Sequence, residues 1–338
     1  MHPQGHARQA GVAALAVLAA VLAVALAGCS SADAAGGSRL SLVAYSTPQE
    51  AYKELIPAFQ ATAQGKGVTF AESYGASGAQ SRAIAAGLKA DVAALSLEPD
   101  VTKLVSAGLV AKDWNADAYH GNVTDSVVVL VVPKGNPKHI RGWADLVAPG
   151  VQVVTPNPLS SGGARWNVMA AYGAQLKAGR TPDQALAYVQ ELFKHVVVQD
   201  SSAAASLQTF THGTGDVLIS YENEAIAAKA HGQDVDWVLP DATILIENPV
   251  AVVQGSANEA AAKAFVAFLR TRPAQEIFAK HGYRPVVAGL SDPARFPTPA
   301  KLFTIADLGG WKDVSSRFFD PKQGLIVAIE RSVGVSVG

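Results

Sequence analysis

The sequence has little cysteine and no excess of charge of either sign. Its 338 residues contain a single cysteine, Cys29, which excludes a Cys-x-x-Cys redox pair and a zinc site built from several thiolates. Only 16% of the residues are charged, with 27 Lys and Arg against 28 Asp and Glu. This balance, and the lack of any run of basic residues, argues against a nucleic-acid-binding surface.

Apolar residues are abundant instead. They make up 49% of the chain, enough to bury a substantial core, and the length allows one large or two medium domains.

The N-terminus has the pattern of a targeting segment. A leader that carries Arg8 precedes an apolar run over residues 10–27, and small residues follow it before Cys29. This arrangement predicts a secretory signal peptide over residues 1–28. The Leu-Ala-Gly-Cys ending resembles a bacterial lipobox, in which the cysteine is acylated. The alternative is a membrane anchor with an incidental cysteine, but the run is short for the ~20 residues that span a bilayer.

A Ser/Ala/Gly-rich segment follows, and it predicts a lipid-anchored, flexible tether over residues 29–38.

From residue 39 onward, strand-like runs alternate with stretches of helical spacing. The predicted strands are Leu40–Tyr45, Val68–Glu72, Asp91–Ser96, Ser126–Pro133, Val151–Thr155, Val196–Gln199, Asp216–Ser220, Ile244–Ile246 and Pro249–Val253. This alternation predicts an α/β fold with mostly parallel sheets. The economical interpretation is two lobes: lobe I over residues 39–128 and 246–310, and lobe II over residues 129–245. Residues 311–338 then form a C-terminal segment that packs across the lobes.

Three predicted strands are each followed by a Ser/Gly/Ala turn and an amphipathic helix. The turns are Ser73–Gly78, Ser160–Ala164 and Asp200–Ala205. A helix N-terminus exposes unpaired N–H groups and a partial positive charge, so it can bind a small anion. A serine there can also serve only as an N-cap. Three such turns after strands favour one shared anion site.

The turns offer hydrogen-bond donors and almost no acceptors. Asp200 is the one acid among them, and it can instead cap its own helix. A site made only of donors favours a fully deprotonated, sulfate-like dianion over an oxyanion that still carries a proton.

Several segments resemble the bacterial periplasmic sulfate/thiosulfate-binding proteins of ABC importers. The resemblance covers residues 40–311. It is carried by Ser73–Gly78, Gly87–Val92, Lys134–Lys138, Thr155–Asn167, Gly215–Ile219, Glu222–Ala225 and Tyr283–Pro285.

The resemblance implies a two-lobed, type II periplasmic-binding-protein fold, with hinged lobes and helices packed on mixed sheets. Such a protein closes on one dehydrated sulfate and holds it by hydrogen bonds without a counter-cation. It is not an enzyme, and no cofactor or metal is expected. The implied partners are sulfate or thiosulfate, the transmembrane subunits of an ABC permease with their cytoplasmic ATPase, and the outer face of the cell membrane through the lipid anchor. A monomer is expected, with no nucleic-acid partner.

The resemblance also implies ligand residues. Ser77 supplies a donor at the first helix, and Ser161 supplies its hydroxyl and its backbone N–H. The backbone N–H groups of Gly162 and Gly163 lie beside them, and Ala203 supplies a further backbone donor.

Two positions depart from the family pattern. Ser46 stands where the family has an aspartate that contributes its backbone N–H. Tyr221 stands where the family has a tryptophan whose indole N–H donates to sulfate; a phenol also donates, but its oxygen can accept as well.

Other interpretations are weaker. The segment around Ser77 lacks the last glycine of the G-x-S-x-G motif of serine hydrolases, and no histidine has a triad context. A receptor for molybdate or phosphate is the remaining alternative. Glu222 and Glu224 lack the neighbours of a metal site and are expected to make structural hydrogen bonds. Arg165 is expected to brace a loop or the other lobe.

Overall fold

The computed structural model describes residues 38–334. The predicted signal peptide (1–28), Cys29 and the tether up to residue 37 lie outside the described residues. Among the described helices, none is both long enough and apolar enough to cross a membrane.

The described chain alternates strands and helices, as the sequence predicted. The strands are β1 (Arg39–Tyr45), β2 (Thr69–Gly75), β3 (Val92–Ala94), β4 (Asn122–Pro133), β5 (Val153–Pro156), β6 (Val196–Asp200), β7 (Val217–Tyr221), β8 (Val235–Val238), β9 (Ala242–Val252), β10 (Arg284–Pro285) and β11 (Lys301–Phe303). The helices are α1 (Gln49–Gln60), α2 (Ser77–Ala85), α3 (Glu98–Ser106), α4 (Gly162–Lys177), α5 (Pro182–Lys194), α6 (Ala203–Thr211), α7 (Glu222–Ala230), α8 (Glu259–Leu269), α9 (Arg272–Lys280), α10 (Gly310–Phe318) and α11 (Leu325–Ser332).

The sheet is mixed. Its strand order is β2-β1-β3-β9-β4-β7-β5-β6, while β8 and β10 pair with β4 and β11 pairs with β9. β1 pairs in parallel with β2 and β3, and β5 pairs in parallel with β6 and β7. The prediction of mostly parallel sheets, drawn from the alternation alone, is therefore wrong at the centre. There the two long strands β4 and β9 run antiparallel to each other and to their neighbours β7 and β3.

β9 is one continuous strand, although the sequence predicted two short ones. The predicted break lies before Pro249, which pairs with Asn122 at the edge of the β4 register. The pairing register shifts between Asn122 and Thr124. The hydrogen-bond ladder is therefore already irregular where Pro249, which has no backbone N–H, pairs with β4.

The apolar core falls into separate clusters on the two sides of this central pair. One cluster packs α1, α8 and α9 on β1 and β3, and a larger one packs α4, α5, α10 and α11 around β5 and β7. The chain from Arg39 onward nevertheless forms one compact unit, so the lobe boundaries remain a prediction.

Helix α4 is buried on nearly every face from Gly162 to Gln175. The prediction of an amphipathic helix is wrong there, because α4 packs against β9, α5 and the C-terminal helix α10 at once. Trp166 of α4 meets Trp311 of α10 edge to face, with ring centroids 4.7 Å apart.

Candidate anion-binding site

A small cavity of about 10 Å³ lies at the carboxyl ends of β1, β2, β3, β5, β6 and β7. Ten residues line it, and none carries a formal charge. They are Tyr45, Ser46, Thr47, Ala76, Ser77, Ser96, Ser161, Gly163, Ala203 and Tyr221.

Most of the lining residues lie at or shortly before the N-terminal ends of helices. Ser77 and Ala203 are the first residues of α2 and α6, and Gly163 is the second residue of α4. N–H groups at these positions have no acceptor within their own helix. Tyr221 immediately precedes α7, and Ser46 lies shortly before α1. The cavity is therefore surrounded by backbone donors and by the positive ends of helix dipoles.

Six of the seven ligand residues predicted from the sequence line this cavity, and Gly162 lies beside it in the chain. Four further lining residues were not predicted: Tyr45, Thr47, Ala76 and Ser96. Ser96 was the last residue of a predicted strand, with no glycine-rich turn after it, so the pattern gave no signal for it.

Ser161 is the N-cap of α4. Its Oγ accepts a hydrogen bond from the N–H of Ala164 at 3.4 Å, which leaves the hydroxyl proton free to donate. Its own backbone N–H donates to the carbonyl oxygen of Asn157 at 2.9 Å. Ser161 can thus offer its hydroxyl to a ligand, while its backbone N–H already has an acceptor.

The two glycines that follow Ser161 have different roles. A Cβ on Gly162 would lie 2.8 Å from Ser96 Oγ and from Leu97 Cδ2, so this glycine lets α4 approach the chain after β3. A Cβ on Gly163 would contact Ser161, Ala203 and Tyr221 at 3.4–3.5 Å. Because all three line the cavity, Gly163 keeps it open.

The hydroxyl of Ser77 is fully engaged. It donates to Oδ2 of Asp100 at 2.6 Å and accepts from the backbone N–H of Ser96 at 2.9 Å. Only the backbone N–H of Ser77 therefore remains for a ligand. Burial raises the pKa of Asp100, and the nearby guanidinium of Arg165 opposes that rise.

Arg165 does not line the cavity. Its Nε donates to the carbonyl oxygen of Pro158 at 3.0 Å, and its guanidinium lies 5.1 Å from the ring centroid of Phe319. The prediction that it braces a loop is confirmed.

Tyr221 is buried, and its hydroxyl lies 2.7 Å from Oγ of Ser96. Burial raises its pKa well above the ordinary value, so the phenol stays protonated. The carbonyl oxygen of Ser96 accepts from Nε1 of Trp166 and Nδ2 of Asn248. Ser96 thus joins the end of β3 to α4, β7 and β9.

Tyr45 brings a further hydroxyl to the cavity wall. Its OH is buried and has no hydrogen-bond partner among the described residues, and burial raises its pKa to about 12. Thr47 lies nearby, but its hydroxyl is bonded to the OH of Tyr283 at 3.0 Å.

The two glutamates of α7 make structural bonds, as predicted. Glu222 forms a buried bidentate ion pair with Arg284, with N–O distances of 2.7 and 3.0 Å. Glu224 accepts a hydrogen bond from Ser220 Oγ, and burial raises its pKa to about 7. Glu224 is not among the residues that line the cavity.

Asp200 does not cap α6, although the sequence suggested it. The N-cap is Ser202, whose Oγ accepts from the N–H of Ala205, while Oδ1 of Asp200 accepts from Thr209. The donor-rich character of this turn is preserved because the acid is directed away from the helix end.

Ser77 also lacks the partner that a hydrolytic nucleophile needs. Within residues 38–334 its hydroxyl is bonded to a carboxylate and a backbone N–H, and not to a histidine.

The chain is similar to known proteins over most of its length. A sulfate-binding protein of Synechococcus elongatus is 43% identical, with 89% of this chain and 90% of the relative covered. A thiosulfate-binding protein of Pseudomonas aeruginosa is 35% identical, with 82% and 88% covered. The solved structure of the sulfate-binding protein SubI from Mycobacterium tuberculosis is 48% identical with a TM-score of 0.80, covering 84% of this chain and all of that one.

The fold is that of the periplasmic binding proteins, as the resemblance implied. The family model described as bacterial extracellular solute-binding protein matches residues 40–284. On that match, the chain belongs to the bacterial extracellular solute-binding protein family.

Proposed function

We propose that this protein captures sulfate, or the related thiosulfate, outside the cytoplasm and delivers it to an ABC permease for import. One observation carries the proposal: the cavity is lined by helix N-termini and hydroxyl groups and by no residue of formal charge.

This lining suits a dianion that carries no proton. Each bond from an N–H or O–H to a charged oxygen is worth about 1.5–3 kcal/mol, and each helix end adds about half a positive charge. A carboxylate in the wall would repel the anion. The carboxylate of Asp100 accepts the hydroxyl proton of Ser77, and burial keeps Glu224 from ionising below about pH 7. The relatives named for sulfate and thiosulfate binding support this ligand class.

The proposed ligand residues come from both predicted lobes. Ser46 and Ser77 lie in lobe I (39–128 and 246–310), whereas Ser161, Gly163, Ala203 and Tyr221 lie in lobe II (129–245). On this predicted division the cavity would lie between the lobes, and a hinged closure about β4 and β9 would enclose the anion. α10 contacts α3 and, through Trp311, α4. These contacts support a C-terminal segment that packs across both lobes.

We further propose that the chain is anchored to the outer face of the cell membrane by acylation of Cys29. The support is the sequence alone: an apolar run, the Leu-Ala-Gly-Cys ending and a small-residue tether. Membrane anchoring would keep a monomeric receptor close to the permease.

Isothermal titration calorimetry of the chain from residue 39 tests which anion the protein binds. Sulfate, thiosulfate, molybdate and phosphate are titrated separately into protein dialysed free of anions. We expect tight binding of sulfate or thiosulfate and weak binding of the other two. Submicromolar phosphate or molybdate binding without a sulfate response would overturn the proposal.

A further inference from the structure

Two hydroxyl groups meet at the cavity wall where the family has one indole. The OH of Tyr221 and Oγ of Ser96 are 2.7 Å apart, and both residues are 1% exposed and line the cavity. Among the described residues, neither oxygen makes another hydrogen bond at normal geometry. The side-chain N–H of Asn248 donates to the carbonyl oxygen of Ser96 and also lies close to the OH of Tyr221, where it can donate but cannot accept a proton.

The number of hydroxyl protons determines how many hydrogen bonds Ser96 and Tyr221 can donate to a ligand. Two hydroxyls carry two protons, and the bond between them uses one, whichever oxygen is the donor. One proton therefore remains without an acceptor. A buried hydroxyl proton without an acceptor is unfavourable, so the pair is poised to donate to a bound anion.

Ser96 is also held in place independently of Tyr221. Its N–H donates to Ser77, and its carbonyl oxygen accepts from Trp166 and Asn248. Gly162 of α4 approaches it so closely that even a methyl group would not fit between them. The backbone of Ser96 is thus fixed, and only its hydroxyl proton can reorient.

We propose that Ser96 and Tyr221 form one shared hydroxyl donor to the bound oxyanion, which makes Ser96 a further anion-binding residue of this site. The pair supplies a single donor, because the bond between the two hydroxyls uses one of their two protons. Either hydroxyl can supply the proton when the other is missing, because the freed proton of the remaining partner then points to the ligand.

A double-mutant cycle tests this inference, which rests on the proposed function. Sulfate is titrated calorimetrically into the wild-type chain from residue 39 and into Ser96→Ala, Tyr221→Phe and the double variant. Each single variant loses only a neutral hydrogen bond, so we expect an affinity loss of about tenfold or less. The double variant loses the donor itself, so we expect its loss to exceed the product of the single losses by about 10- to 100-fold.

The other outcomes overturn the inference. Losses that multiply would show two independent contacts, and single variants as weak as the double would show that only the bond between the hydroxyls matters. A double variant that binds like wild type would show that neither hydroxyl faces the anion. Tyr172→Phe and Ser206→Ala are matched controls, since both are buried hydroxyl residues outside the cavity lining. If the wild-type chain does not bind sulfate, the proposed function is wrong, and this result is distinct from a failure of the shared donor.

A second measurement keeps the inference testable if the double variant does not fold. In a crystal of the wild-type chain with sulfate, one sulfate oxygen should lie within about 3 Å of one of the two hydroxyls, with the bond between Ser96 and Tyr221 intact. A broken bond, with two separate contacts to sulfate, would contradict the shared donor.

Discussion

Oγ of Ser77 lies 2.6 Å from Oδ2 of Asp100 and donates its proton to that carboxylate. The same oxygen accepts the N–H of Ser96, so this hydroxyl links α2 to α3 and to the end of β3. A serine that looked like a ligand in the sequence therefore has two functions in the fold. Its backbone N–H has no acceptor within α2 and remains for a ligand, and its side chain fixes the neighbouring elements.

We expect Ser77→Ala to affect stability more than sulfate binding. The substitution leaves a buried carboxylate and a buried N–H without their partner, which costs about 1–3 kcal/mol of unfolding free energy. Chemical denaturation measures that loss, and calorimetry on the folded fraction measures affinity. An affinity loss larger than that of Ser161→Ala, without a loss of stability, would show that the Ser77 hydroxyl binds the anion.

Ser161→Ala should weaken sulfate binding by about 1.5–3 kcal/mol, because the free hydroxyl proton of this N-cap is the donor that the variant lacks. The matched control is Ser160→Ala, whose Oγ donates to the carbonyl oxygen of Ser201 and does not line the cavity. The two dissociation constants are compared by calorimetry. Equal affinities in the two variants would place the anion elsewhere.

Gly163→Asp should nearly abolish sulfate binding, because its side chain would place a carboxylate among Ser161, Ala203 and Tyr221. The nearest atoms lie at ordinary contact distance from the first added carbon, so we expect the fold to survive. Gly142→Asp is the control, because a Cβ there meets nothing within 4 Å. Circular dichroism checks the fold of each variant, and wild-type affinity in Gly163→Asp would argue against this cavity as the site.

Glu224 should make the protein less stable as the pH rises. Its folded-state pKa of about 7 lies above the ordinary 4.5, so between these values the folded state binds more protons than the unfolded state. Glu224 alone then lowers the free energy of unfolding from about pH 4.5 to about pH 7, by about 3 kcal/mol in total. Glu224→Gln should remove this contribution and leave that of Asp125, whose pKa burial raises to about 8, whereas the exposed Glu276→Gln should leave both.

The same group should make sulfate binding pH-dependent. Ionised Glu224 acts electrostatically on Tyr45 and Tyr221, both of which line the cavity, so it also repels a bound dianion. We expect sulfate affinity to fall between pH 6 and pH 8 in the wild type and to stay constant in Glu224→Gln. The same fall in the variant would assign it to another group.

Cys29→Ser in the full-length chain should release the protein from the membrane. The lipobox-like ending provides one acylation site, and this is the only cysteine in the sequence. Fractionation of bacteria that express each form, with mass spectrometry of the N-terminal peptide, measures the change. A wild-type peptide without added lipid mass would rule out the anchor.

The sequence was sufficient to predict the α/β class and most of the cavity wall. The Ser77, Ser161 and Ala203 turns each follow a predicted strand, and the carboxyl ends of these strands meet in the fold. Each of these patterns lies within one chain segment. Ser46 and Tyr221 followed instead from the resemblance to the sulfate/thiosulfate-binding proteins.

The central strand pair and the partners of the serines could not be predicted in the same way. β4 and β9 pair with each other although about 120 residues separate the paired positions in the chain. No local pattern in either strand indicates that the two run antiparallel. Likewise, the bond from Ser77 to Asp100 and the bond from Ser96 to Tyr221 depend on how separate elements pack. Ser96 was missed because the signal at its position is a single serine without a glycine-rich turn.

A crystal structure of the chain from residue 39 with sulfate most directly tests whether this cavity binds sulfate through uncharged donors. We expect one sulfate in the cavity, with its oxygens about 3 Å from the hydroxyl of Ser161 and from backbone N–H groups at the starts of α2, α4 and α6. We expect no Lys or Arg side chain to contact it. A sulfate held by a basic side chain elsewhere, with this cavity unoccupied, would contradict this expectation.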